Sequence, residues 1–132
     1  WLDLRSEETT ALATVEKQVR ADIAALTKAD ILFTVDVVGD RPSGYLDPKH
    51  VLVANALAAL ASVGVRGTLE TGSTDGNVPL SQGCPTVTIG ITRGGNAHRL
   101  DEYIEVGGIA QGLRQLILLA LVTSATTAST HA

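Results

Sequence analysis

The sequence contains no methionine and a single cysteine, Cys84. One cysteine excludes an intrachain disulfide and fits a reducing, cytoplasmic setting. Aromatic residues are as scarce: one Trp, two Tyr and one Phe (Trp1, Tyr45, Tyr103, Phe33) leave nothing to build a base-stacking platform. Positive charge is in deficit, with 10 Lys and Arg against 14 Asp and Glu and a formal net charge of −4. A surface of that sign does not track a phosphate backbone, so a nucleic-acid partner is not expected. The densest apolar run, Leu116 to Val122, is far shorter than the ~20 residues a bilayer span needs, and no signal peptide is visible. No membrane partner is expected either. Trp1 as first residue, in a chain without methionine, reads as the mark of a piece of a larger protein.

What remains is a globular composition. Hydrophobic residues make up 45% and charged residues 18% of 132 positions, one ordinary domain's worth of chain. Leu2 and Leu4 alternate with Asp3 and Arg5, which predicts a strand. Ser6 offers an N-cap, Glu7 and Glu8 an acidic first turn, and Leu12, Val15, Val19, Ile23 and Leu26 one apolar helix face. The stretch "DILFTVDVVG" predicts a second strand with Ile31, Phe33, Val35 and Val37 on one side. "GDRPSGYLDP" reads as a linker, and Asp47 and Pro48 as the cap and first position of a helix that Gly64 ends. Beyond it come a short strand "GTLET", the loop "GSTDGN", a brief helix near residues 78–83, a buried strand "PTVTIGI", a glycine loop, and a helix from about Glu105 to Thr123. The last ten residues, small and polar, are expected to fray. Alternating helix and strand predict an α/β fold with a parallel sheet, whose ligand loops follow strand ends.

Three loops hold residues capable of chemistry. His98, one of three histidines, follows "GGNA", where Gly94 and Gly95 admit close backbone approach and Asn96 can aim an amide at the same place. By itself it is an ordinary loop histidine; as a ligand it could have its ring oriented by Asp101 and Glu102, although the first use expected of Asp101 is to cap the next helix. Ser73, Thr74 and Asp75 make either a turn whose Asp75 caps a short helix or a cradle for a carboxylate or oxyanion. Arg41 is either a solvated linker charge or a guanidinium fork for a carboxylate. Cys84, just before Pro85, reads as inert packing.

Taken in order, "GSTDGNVPLSQGCPTVTIG" and "GGNAHRLDEYIEV" resemble the C-terminal catalytic segment of the zinc-dependent exopeptidases and deacylases. That family includes peptidase T-like tripeptidases, aminoacylase, acetylornithine deacetylase and succinyl-diaminopimelate desuccinylase. "WLDLRS" and "GDRPSG" resemble parts of its smaller lid, or dimerisation, domain, so the similarity runs from about Trp1 to Val122. The resemblance implies residues 1–42 as the second half of a ferredoxin-like lid. It implies residues 43–132 as the C-terminal part of a three-layer αβα catalytic domain.

It also implies a cytoplasmic amide hydrolase with two zinc ions per active site, acting on small peptides or, as the alternative, on N-acyl amino acids. Zinc lowers the pKa of bound water toward ~7 and polarises the scissile carbonyl. His98 matches the family's last zinc-ligating histidine. Ser73, Thr74 and Asp75 match its substrate-pocket loop, Gly94, Gly95 and Asn96 the loop presenting that histidine, and Arg41, more loosely, a lid arginine that grips substrate carboxylates. Gly76 and Arg99 stand where the family often has alanine and threonine. The family's His-x-Asp pair, bridging aspartate and Glu-Glu pair have no counterpart here, so no catalytic residue is expected in this chain and the 132 residues alone would be inactive. Missing strands would leave open sheet edges and predict a homo-oligomer. The rival readings are a non-catalytic assembly module and an unrelated α/β binding domain in which His98 is only a loop residue.

Overall fold

The computed structural model describes residues 1–27 and 31–130, with side chains described as far as Thr126; His131 and the first residue of the expected second strand, Asp30, lie outside them. Among the described residues four α-helices dominate: α1 (Thr9–Leu26), α2 (Val51–Ser62), α3 (Asn77–Ser81) and α4 (Ile109–Thr130). Between α3 and α4 two short strands, β1 (Gly94–Gly95) and β2 (Tyr103–Ile104), pair antiparallel with Gly94 opposite Ile104 and Gly95 opposite Tyr103. A 3-10 turn, Val106–Gly108, leads into α4. The chain divides into two compact units, Trp1–Leu46 with Thr71–Thr86, and Asp47–Glu70 with Val87–Ala132.

In the first unit, α1 begins later than its sequence signals suggest. The Ser6 hydroxyl accepts the Glu8 N–H at 3.1 Å, a local turn that spends the cap before the helix opens at Thr9. The apolar stripe forms but is only half covered, with Leu12, Val19 and Ile23 partly buried and Val15 and Leu26 exposed. The two expected strands around Leu4 and Val35 make no ladder among the described residues beyond a single bridge at Ile31. Alternation gives a segment one apolar side, but a strand exists only through a neighbour that takes its backbone hydrogen bonds. Without one, Leu2, Phe33, Val35 and Val37 stay exposed. Arg5 turns instead onto Asp3, two residues away, and its hydrogen bond holds that carboxyl below its ordinary pKa.

The second unit carries the core. Ala56 and Ala59 of α2 meet Leu119 of α4, with Leu52, Val87 and Ile89 packed against them. Asp47 does not cap α2: its side chain and carbonyl close a turn over Lys49 and His50, and the His50 ring accepts the Leu52 N–H at 3.1 Å. An imidazole nitrogen thereby takes one of the helix's orphan donors. The helix stops where expected, with Gly64 at φ 76° just beyond it. "GTLET" and "PTVTIGI" make no ladder among the described residues; Val87 and Ile89 contribute to the core as side chains alone.

Helix α4 packs against α2 and buries a line of Gly112, Gln115 and Leu119, spaced three and four apart. A Cβ on Gly112 would fall 1.7 Å from the Ile91 carbonyl oxygen, so only glycine admits that approach. The helix also runs to Thr130, through residues expected to fray, with the Ser124 and Thr126 hydroxyls turned back onto the Ala120 and Val122 carbonyls at 2.8 Å. Val106–Thr126 is long and apolar enough, by length and composition, to cross a membrane, although core helices of soluble proteins pass the same test. A count of unbroken apolar residues misses this, since glycine, glutamine and threonine interrupt the run while Arg114 is its one charge.

Candidate functional site

The first unit gathers the residues that the two loop motifs singled out. The Arg41 guanidinium reaches across 32 residues of sequence to the Ser73 hydroxyl, donating from Nη1 at 3.1 Å. Its Nη2 donates to Asp75 Oδ1 at 3.2 Å. Asn77, which the sequence reading did not single out, holds the frame. Its Oδ1 accepts the Thr74 N–H at 3.0 Å, and its Nδ2 donates to the Pro42 carbonyl at 3.1 Å. The Thr74 hydroxyl accepts the Gly76 N–H at 3.2 Å. The signal for Asn77 was an Asx residue at the start of a short helix, whose side chain can reach back to the loop backbone.

This arrangement revises two expectations. Asp75 does not cap α3: the position before the helix is Gly76, without a side-chain cap, and the Asp75 carboxylate faces Arg41 instead. The cradle of backbone donors is partly spent within the loop, because the Thr74 and Gly76 N–H groups already have acceptors there. The guanidinium is held only by these surface contacts. Its side chain is 44% exposed and its acidic partner wholly so, and such a surface pair is worth ~0–1 kcal/mol. A ligand carboxylate offering two oxygens can compete with that.

His98 lies in the second unit, between β1 and β2. Asn96 and His98 both adopt the left-handed region, at φ 58° and 65°. Two successive turns produce it, with the Arg99 N–H donating to the Asn96 carbonyl and the Glu102 N–H to the Arg99 carbonyl. The His98 side chain is exposed. Neither neighbouring carboxylate orients its ring. Glu102 accepts the His98 backbone N–H at 3.3 Å, while Asp101 accepts the Asn96 amide at 2.9 Å and pairs with Arg99 at 3.0 Å. Asp101 therefore caps no helix and supports no imidazole; it closes the loop.

Gly94 and Gly95 also find their use inside the hairpin. A Cβ on Gly95 would lie 2.8 Å from the Tyr103 ring, and one on Gly94 2.6 Å from the Tyr103 carbonyl. The close approach that glycine permits is to Tyr103, across the ladder. Among the described residues no three His, Cys, Asp or Glu side chains come together as metal ligands. No family model and no curated protein matches the sequence.

Proposed function

We propose that the chain is part of a cytoplasmic zinc-dependent amide hydrolase of the exopeptidase and deacylase family, cleaving small peptides. N-acyl amino acids are the alternative substrates. In this reading residues 1–42 belong to a lid domain and residues 43–132 to the end of a three-layer αβα catalytic domain. His98 is one of the ligands to a two-zinc site, and no catalytic group lies within the chain. Zinc would supply a polarised carbonyl and an activated water. This chain's residues would bind and orient: in the first unit Arg41 and Ser73 take the substrate carboxylate on the loop of Thr74 and Asp75, and in the second Gly94, Gly95 and Asn96 shape the substrate-side loop that carries His98.

One observation carries the reading. Arg41 and the Ser73–Asp75 loop come from separate motifs, each assigned to substrate binding by the family resemblance, and one guanidinium bonds to both ends of that loop. The exposed apolar residues of α4 favour a second reading, a non-catalytic module that assembles through that helix.

Kinetics of the natural full-length protein separate the two. Arg41→Ala should chiefly raise KM for substrates with a free carboxylate, by the ~1.5–3 kcal/mol of a charge-assisted hydrogen bond, and leave carboxyl-blocked analogues nearly unaffected. Equal effects on both substrates, or none on either, would remove Arg41 from the site. A full-length protein that hydrolyses no amide with zinc supplied would leave the assembly reading in its place.

A further inference from the structure

We propose that Asp75 is a tethered competitor for the Arg41 site, a resident carboxylate that a ligand carboxylate must displace. The inference rests on the reading that Arg41 receives carboxylates, and it concerns how that site is regulated. Both terminal nitrogens of the guanidinium are engaged by the loop, Nη1 with the Ser73 hydroxyl and Nη2 with Asp75 Oδ1. Asp75 thus occupies a position that the second oxygen of a bound carboxylate would take.

Two features make the contact releasable. The Asp75 side chain is wholly exposed, and among the described residues its carboxylate has no partner other than Arg41. The loop does not depend on it either. Asn77 ties Thr74 to Pro42, and the Thr74 hydroxyl holds Gly76, whether or not Asp75 is in place. The carboxylate can therefore swing into water while Ser73 and Arg41 keep their positions. An exposed pair of this kind closes with an equilibrium constant near unity or a few-fold above it, so self-occupation should weaken ligand binding ~2–6-fold.

The test is a titration of the 132-residue chain with N-acetylglycine, followed by amide chemical shifts of the 71–78 loop, with N-acetylglycinamide as the carboxyl-blocked control. Asp75→Asn and Asp75→Ala should each tighten N-acetylglycine binding ~2–6-fold, with the Thr74 and Asn77 amides unshifted in the free variants. Arg41→Ala should abolish the difference between the acid and its amide. Unchanged or weaker binding in both Asp75 variants, with Arg41→Ala still deleterious, would overturn the competitor while sparing the arginine's role. Wild-type affinity in Arg41→Ala would overturn that role and the competitor with it. No binding by the wild type or by either Asp75 variant would also overturn the proposal.

Discussion

Gln115 faces the interior of the second unit, 2% exposed, and its Nε2 has no hydrogen-bond partner among the described residues. A buried amide donor left unpaired costs ~1–3 kcal/mol, whereas an apolar side chain of the same shape carries no such penalty. Gln115→Met should therefore raise the melting temperature by a few degrees, measurable by thermal circular dichroism, and a lowered midpoint would mean that the amide has an acceptor after all. At this scale the sequence was readable where a residue's role is local. Gly64 ends its helix, as residue chemistry suggests. It was unreadable where two groups compete for one partner. Nothing in "LDPKH" tells that the His50 ring, and not Asp47, takes the Leu52 N–H. Nothing in "GGNAHRLDE" tells that Asp101 serves Asn96 and Arg99.

Among the elements, helices were legible and strands were not, for one physical reason. A helix satisfies its backbone within itself, so the spacing in α1, the small-residue run of α2 and the long α4 each suffice to identify it. A strand needs a neighbour, which a pattern of alternating side chains does not supply. The ladder that β1 makes with β2 joins segments of a glycine loop that carry no alternation, held by the fit of Tyr103 against two glycines. Gly112 plays a comparable part for α4, where the Ile91 backbone lies too close for any side chain. Gly112→Ala gains helix propensity but must push the helix off that carbonyl, so we expect a net loss of ~1–3 kcal/mol in urea unfolding. A stabilised variant would show that the Ile91 segment yields freely.

For the molecule as a whole, the apolar surface is the feature its chemistry must answer for. Leu113, Leu116, Ile117 and Leu121 of α4 are exposed on one side of a helix whose other side buries a glycine and an amide. Contiguous apolar surface of this kind recruits a partner. The 132-residue chain is therefore expected to associate at low micromolar concentration, as a homo-oligomer, in size exclusion with light scattering. Ile117→Lys combined with Leu121→Lys should shift the profile toward monomer. A wild-type monomer that melts cooperatively would contradict the expectation. The proposed place of this chain in a zinc amide hydrolase, with His98 as a metal ligand, is tested most directly by one comparison: kcat/KM for a small peptide, zinc-loaded natural full-length protein against its His98→Ala variant. Removing a metal ligand should cost more than the ~10–100-fold that loss of a ligand's outer partner costs, with zinc content falling in parallel. Equal turnover and equal zinc in the two proteins would contradict it.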